Sequence, residues 1–237
     1  MDTIIKTKIN IMKNIINIKN VRNVNFLPEN LHFVLIGIML GDGGIYRSSS
    51  TSNSRFEMSF GTKYKQFAES IGYLFKDYMN SPVKAIELKG KDKNYINFRL
   101  KTSTLPLFNK DHEMFYKFNT EKGKFVKIVP PAPSMVGFGV GENILDNLNP
   151  VVLAYLIMTD GNFDKNRNRI RIYTNSETTE DVNRLAVAIN SNLGIYAGVL
   201  HDRKDQWILT IGAKQLSLLR DIVSPHFESS MFYRIGL

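Results

Sequence analysis

The chain contains no cysteine. Disulfides, thiolate zinc sites and cysteine nucleophiles are therefore excluded. Histidine is scarce: His32, His112, His201 and His226 are the only four, and no two stand four residues apart, which excludes the paired helical histidines of an HExxH zinc site. Long apolar runs are missing too. The longest, 33–41 and 151–158, fall well short of the ~20 residues a membrane helix needs, so no membrane partner is expected. Acids number 22 against 31 lysines and arginines, for a formal charge of +9 and a pI near 9.6, which favours a polyanionic partner.

What is present suffices for one large domain or two compact ones: 237 residues, 43% of them hydrophobic. The opening segment is rich in Ile, Asn and Lys, basic after Asp2, and is not Arg- and Ser-rich as a transit peptide would be. Residues 1–30 are expected to be a basic tail or arm. The same bias is what an A+T-rich coding sequence yields, as in many organellar genomes, and it points to an intracellular protein of organellar source.

Two segments, LHFVLIGIMLG (31–41) and PVVLAYLIMT (150–159), are apolar almost all round, the pattern of a short helix buried on most sides. Pro150 stands at the N-terminal edge of the second, and each is followed by Asp-Gly, a stop-and-turn signal. After the first, residues 55–63 alternate as a half-buried strand, and Tyr64, Phe67, Ala68, Ile71, Leu74, Phe75 and Tyr78 recur at helical spacing. Residues 83–90 and 94–102 read as a hairpin, and a mixed helical stretch covers 103–118. The second half repeats the order: a strand at 169–176, a helix capped by Thr178 or Thr179, a hairpin of 195–202 with 206–212, and a helix at 214–223. This predicts an α+β chain of two αββαββα repeats, 31–129 and 150–237, joined by a Pro/Gly-rich linker at 130–149.

One apolar helix ending in Asp-Gly is a common turn. Two copies, each opening a repeat, suggest a pseudo-twofold axis within a monomer, with the two helices packed together. Gly37 and Gly41 let another backbone come close, with Ala154 on the other side. Asp42 and Asp160 would then meet at the axis. They would repel each other, and each would face the negative end of its own helix. A divalent cation turns that liability into a ligand pair, and oxygen-only ligation suits Mg²⁺.

Strand polarity suggests the partner. Arg167, Arg169, Arg171 and Tyr173 fall on one face, opposite Ile170, Ile172 and Thr174, with no acid interleaved. Arg55 and Lys63 echo this in the first repeat, as do Tyr95, Asn97, Arg99 and Lys101 opposite Ile96, Phe98 and Leu100. Surface strands often carry solvated charge, but cations of one sign in alternation also suit phosphates and guanine edges. Two such sheets about a pseudo-dyad would read a long, asymmetric double-stranded DNA site.

LIGIMLGDG (35–43) and LAYLIMTDG (153–161) resemble the paired motifs of the LAGLIDADG homing endonucleases in their monomeric, two-motif form, and the repeat order extends the likeness over residues 31–237. The resemblance implies two four-stranded antiparallel, saddle-like sheets straddling DNA, with the motif helices at their interface. It implies that Asp42 and Asp160, with the preceding Gly41 and Thr159, hold Mg²⁺, for which Mn²⁺ would substitute. It also implies a basic residue late in each repeat near the scissile phosphate. KIVP (127–130) nominates Lys127 and FYRIG (232–236) nominates Arg234, although arginine cannot lose a proton and so cannot be a base. The strand position that organises water aligns with Gly61 and Asn175, and Asn175 joins the DNA-binding residues. Tyr155 replaces a small motif residue, which predicts a looser helix crossing.

Two GIY tripeptides (44–46 and 194–196) lack the second element of a GIY-YIG nuclease, and no strand leads into GFGVG (137–141), for which a linker is a better account than a phosphate loop. The expected activity is a metal-dependent double-strand break by an intron-encoded enzyme. The alternatives are an intron maturase of the same fold, which binds RNA and needs neither aspartate, and a DNA-binding protein that has lost cleavage.

Overall fold

A computed structural model describes residues 26–90, 94–130, 143–174, 178–203 and 206–237. The chain starts with helix α1 (Glu29–Leu40), a short strand β1 (Gly44–Arg47), β2 (Ser54–Gly61), α2 (Lys65–Leu74), β3 (Lys84–Lys89), β4 (Asn94–Lys101) and α3 (Asn109–Phe115). A two-stranded ribbon follows, β5 (Tyr116–Asn119) with β6 (Lys124–Lys127). After a single helical turn α4 (Ile144–Asn147), the second half runs α5 (Pro150–Asp160), β7 (Gly161–Asp164), β8 (Arg169–Ile172), α6 (Thr179–Leu193), β9 (Gly198–Arg203), β10 (Gln206–Ile211) and α7 (Leu216–Val223), ending in a 3-10 segment, Ser229–Ile235.

The two main sheets have equivalent, wholly antiparallel orders, β1-β2-β4-β3 and β7-β8-β10-β9. This is the expected duplicated α+β architecture. In β2, Phe56 and Phe60 point into the core, which turns Arg55, Glu57 and Ser59 outward. The register Glu57↔Lys101 and Ser59↔Arg99 carries that outward face onto β4, and Lys84↔Arg99 and Ile86↔Asn97 carry it onto β3. The inner faces are covered by helices, α2 over β2 and β4, α6 over β9 and β10.

Helices α1 and α5 lie side by side between the halves. Each has partners on several sides at once, which is why neither has a polar stripe: Leu35, Ile36, Ile38 and Met39 in α1 and Leu153, Ala154, Leu156 and Ile157 in α5 are fully buried. Pro150 occupies the first turn of α5, where Asn149 caps by accepting from the Val152 amide at 3.0 Å. Thr178 caps α6 through the Asp181 amide at 3.2 Å.

The structure corrects several local expectations. The strands β1 and β7 were not placed by periodicity, because four residues are too few for alternation to register. The first GIY lies in β1. The stretch 103–118 is not helical to its end: α3 stops at Phe115 and the chain turns into the ribbon, whose Tyr116 hydroxyl accepts the Ile45 amide of β1 at 3.2 Å. Leu27 is buried and α1 begins at Glu29, inside the expected tail, while α4 interrupts the expected linker. Residues 1–25 of the tail and 131–142 of the linker, with GFGVG, lie outside the described residues.

Candidate active site

The site forms where α1 and α5 end together. Gly37 packs on α5 so closely that a Cβ there would stand 2.6 Å from the Val152 carbonyl oxygen and 2.7 Å from Tyr155 Cβ, and one on Gly41 would stand 2.0 Å from Thr159 Oγ1. Gly37 faces Val152 and Tyr155, and four residues later Gly41 faces Thr159, so the helices run in the same direction and deliver both aspartates to one end. The opposing surface is Val152, Tyr155 and Thr159 rather than Ala154. Tyr155 does not loosen the crossing: its Cβ fits the space that Gly37 leaves.

The two acids are not equivalent. Helix α1 stops at Leu40, whereas α5 continues through Asp160. Asp42 is therefore carried beyond its helix and is exposed, while Asp160 stays in the last helical turn, 6% exposed. The Asp160 carboxyl carbon lies 3.1 Å from where a Gly41 Cβ would be. Its Oδ2 is buried without a hydrogen-bond partner. Burial first, and then the charge of Asp42, push the Asp160 pKa up to about 8, against the pull of Lys127 and Arg234.

Lys127 ends β6 with much of its residue surface open to solvent, but its ammonium is sunk among the motif-one carbonyls. It donates to Gly41 O and, at 2.8 Å, to Gly43 O. Desolvation draws its pKa down to about 8, opposed by the charges of Asp160 and Asp42. Arg234 sits in the C-terminal 3-10 segment and donates to Gly161 O and, at 2.9 Å, to the Tyr64 hydroxyl. The two cations thus do the same thing: each binds the carbonyl of the glycine after a motif aspartate, completing the negative end of a motif helix.

Asp160 Oδ2, buried and unpartnered beside a second carboxylate, fits a cation. Among the described residues no three His, Cys, Asp or Glu side chains cluster, so carbonyls, water or a substrate phosphate would complete the shell, a common state for Mg²⁺. Gly41 O is already engaged by Lys127, and the Thr159 hydroxyl is spent on its own helix, donating to Tyr155 O at 3.0 Å and Leu156 O at 2.9 Å.

The expected DNA-binding residues divide. Arg55, Arg99 and Lys101 share one outward face, where Glu57, 7% exposed, gathers them: Arg55 and Arg99 hydrogen-bond its two oxygens and Lys101 stands at 3.8 Å. Burial raises the Glu57 pKa, but the bonds from Arg99 and Arg55 outweigh it and the net shift is downward. Lys63 lies off the strand in a 3-10 turn, 4.6 Å from the centre of the Tyr64 ring. Arg169 and Arg171 lie in β8, but Arg167 belongs to the turn before it, whose end, Asn168, adopts a left-handed conformation (φ 44°). Tyr173 follows the strand, 5.2 Å beneath the Arg171 guanidinium. Asn175 lies outside the described residues.

No acid interleaves within β8 itself, but acids reach its arginines from elsewhere in the sheet. Asp164 of β7 pairs with Arg169 at 3.1 Å, and Asp202 of β9 pairs with Arg171. One counter-charge comes from the adjoining strand and the other from two strands away, beyond β10, where a reading of one strand cannot find them. Tyr64 was also missed as a site residue, because its spacing with Phe67 and Ile71 reads as helical core.

Residues 33–219 match the model of the LAGLIDADG DNA endonuclease family. Cytochrome b mRNA maturase bI2 of Saccharomyces cerevisiae is 27% identical over an alignment covering 100% of this chain and 54% of the maturase, so the chain spans about half the length of that relative. Probable intron-encoded endonuclease 1 of Wickerhamomyces canadensis is 27% identical over 85% of this chain and 81% of its own. Among solved structures, the homing endonuclease I-WcaI bound to its DNA recognition sequence superposes with a TM-score of 0.77 at 23% identity, over 94% of this chain and 93% of that one, a likeness of fold.

Proposed function

The chain belongs to the LAGLIDADG DNA endonuclease family, and from that premise we propose that it is an intron-encoded homing endonuclease, acting as a monomer to make a divalent-metal-dependent double-strand break in a long, asymmetric DNA site. The observation that carries this reading is the paired arrangement of Lys127 on Gly43 O and Arg234 on Gly161 O around the adjoining Asp42 and Asp160. Two pseudo-symmetric centres about one axis suit two antiparallel strands.

Asp42 and Asp160 would hold the cation, Mg²⁺ or Mn²⁺, which when bound supplies Lewis-acid stabilisation of charge on phosphate oxygens. The protein's own residues do the rest. With its pKa near 8, the Lys127 amine holds or gives up a proton at Nζ close to neutral pH, which suits it to proton transfer. Arg234 stays cationic and serves by binding phosphate charge. The outward sheet faces position the duplex, with Arg55, Arg99, Lys101, Arg169 and Arg171 directed to backbone and base edges by their acidic partners. Exposed Tyr46 and Leu88 and half-buried Ile86 add apolar surface to the first face, a cleft of about 610 Å³ beside Asp42.

The test is cleavage of a randomised duplex pool in Mg²⁺, comparing wild type with the Asp42→Asn, Asp160→Asn double variant. Recovery of one long asymmetric site from the wild type alone is the expected result. Binding to structured intron RNA without cut ends would instead favour the maturase reading, which the match of this chain to about half of a maturase supports.

A prediction concerns Glu57. Changing it to Gln leaves the shape of the face but frees three cations. DNA binding should tighten a few-fold at low salt with a steeper salt dependence, while discrimination between sites weakens. Filter-binding titrations against matched and scrambled duplexes check this; unchanged selectivity would remove Glu57 from any reading role. Because its folded pKa is depressed, its contribution to stability is present above the unfolded value of 4.5 and lost as pH falls through the folded one.

A further inference from the structure

The pseudo-symmetry of the two cations breaks in their supports. Both acceptors of Lys127, Gly41 O and Gly43 O, belong to the first repeat, as Lys127 itself does. Arg234 and Gly161 belong to the second repeat, but another acceptor of Arg234, the Tyr64 hydroxyl at 2.9 Å, comes from the first. Beside it Gln66 of α2 reaches Ser229 at 3.4 Å, so the start of α2 is docked along the C-terminal 3-10 segment.

The contact is more than packing. The Arg234 guanidinium carbon lies 5.4 Å from the centre of the Tyr64 ring and 5.6 Å from that of Tyr233, while Lys63 stands 4.6 Å from the Tyr64 ring. Burial raises the Tyr64 pKa, but its hydrogen bonds and the charges of Arg234 and Lys63 bring the net shift below the usual phenol value, as expected of an oxygen that accepts from cations. Nε of Arg234 is buried with no partner. With Nε unbonded, the plane of the fork is fixed through Nη1 and Nη2, and among its partners, Gly161 O and the hydroxyls of Tyr64 and Tyr233, the Tyr64 oxygen is the one delivered from the first repeat. A free guanidinium on a flexible stem would lose the orientation that bidentate phosphate binding demands.

We propose that Tyr64 is a positioning residue of the second cleavage centre: its hydroxyl, delivered from the first repeat, sets the plane in which Arg234 meets the scissile phosphate of one strand. The hydrogen-bonded support of Arg234 thus comes from both halves of the chain, whereas both acceptors of Lys127 come from the first half. This rests on the nuclease reading above and adds to it that the two strands depend on different residues.

The test substitution is Tyr64→Phe, which keeps the ring and removes the oxygen. With the full-length protein, Mg²⁺ and a duplex carrying the pool-selected site, labelled differently on each strand, single-turnover rates are measured for both strands at saturating enzyme. Loss of about one charge-assisted hydrogen bond predicts roughly tenfold slower cleavage of one strand. The other strand should change less than about twofold, duplex affinity should hold, and nicked DNA should accumulate. Arg234→Lys should slow the same strand, and adding Tyr64→Phe to it should cost little more. Equal slowing of both strands, or no slowing, overturns the proposal.

A second measurement does not depend on cleavage. In the ¹⁵N-arginine spectrum, the Arg234 guanidinium signals, identified by their absence in Arg234→Lys, should be restricted in the wild type and averaged by rotation in Tyr64→Phe. Unchanged signals overturn the proposal even if the protein cuts DNA. Averaged signals in a protein that cuts neither strand uphold Tyr64 as the anchor of Arg234 and reject the nuclease reading alone.

Discussion

Asp160→Asn is expected to abolish Mg²⁺-dependent cleavage, a loss of at least about a thousandfold on the scale of removing a principal catalytic charge, and at the same time to raise the melting temperature of the metal-free protein. The two effects share one cause. Asp160 is 6% exposed, its Oδ2 has no hydrogen-bond partner, and Asp42 adds a like charge. An asparagine of the same shape removes the buried charge and, with it, the only reason to tolerate it. Asp42→Asn should also abolish cleavage, but with a smaller gain in stability, because Asp42 is exposed and its removal helps only by relieving Asp160.

The sign follows from linkage. The folded-state pKa of Asp160 is raised from 3.8 to about 8, so the folded protein holds the proton more tightly than the unfolded chain. Its stabilising contribution is fully present below pH 3.8 and is lost as pH rises toward 8, at about 1.4 kcal/mol per unit. Lys127, with its folded pKa drawn down to about 8, acts in the opposite sense, but only between pH 8 and its ordinary value of 10.5. Metal-free wild type should therefore lose stability between pH 4 and 8, and Asp160→Asn should flatten that limb. At pH 8, adding Mg²⁺ should raise the wild-type melting temperature and chelation should lower it, while neither should move Asp160→Asn. Thermal scans across pH with and without chelator measure all of this. A variant no more stable than wild type at pH 8 would show that Asp160 is already satisfied without a cation.

Much of this was legible in the sequence because it repeats. Two apolar helices ending in Asp-Gly revealed the duplication, and the small residues Gly37 and Gly41 marked the packing face. The family resemblance, and not the repeat alone, nominated Lys127 and Arg234, and both donate to the carbonyls that follow the aspartates. What was illegible depended on neighbours distant in sequence. Asp202 answers Arg171 from another strand, and Tyr64 reaches Arg234 across 170 positions. Strand periodicity describes one strand's two faces and says nothing of what the other strands of the sheet contribute. Nor could spacing tell that α5 runs one residue past its threonine to keep Asp160 helical, whereas α1 ends two residues short of Asp42. That difference decides which acid is buried.

Gly37→Ala should be the most damaging substitution outside the charged residues. On intrinsic propensity alone it is favourable by about 1 kcal/mol, since glycine inside a helix is costly. The neighbours reverse the sign. The new Cβ would lie 2.6 Å from the Val152 carbonyl oxygen and 2.7 Å from Tyr155 Cβ. Neither can swing aside, because one is backbone and the other is fixed by backbone. The helices must separate, and the fully buried Val152, Leu153, Leu156 and Met39 lose contacts along the seam. Overpacking of this kind costs about 1–3 kcal/mol or more. The net effect should be a melting temperature lower by several degrees. Activity should fall further than stability, because Asp42 and Asp160 ride on the two helices being pushed apart, and a displacement near 1 Å costs on the order of a hundredfold. Gly61→Ala is the control: a Cβ there meets nothing within 4 Å and φ is −67°, so stability should hold or rise by roughly 0.4–1 kcal/mol. Melting curves for both variants, with cleavage assayed well below either transition, separate the two consequences. If Gly37→Ala kept full activity and stability, the close approach of the two motif helices could not be what sets the aspartates at the site.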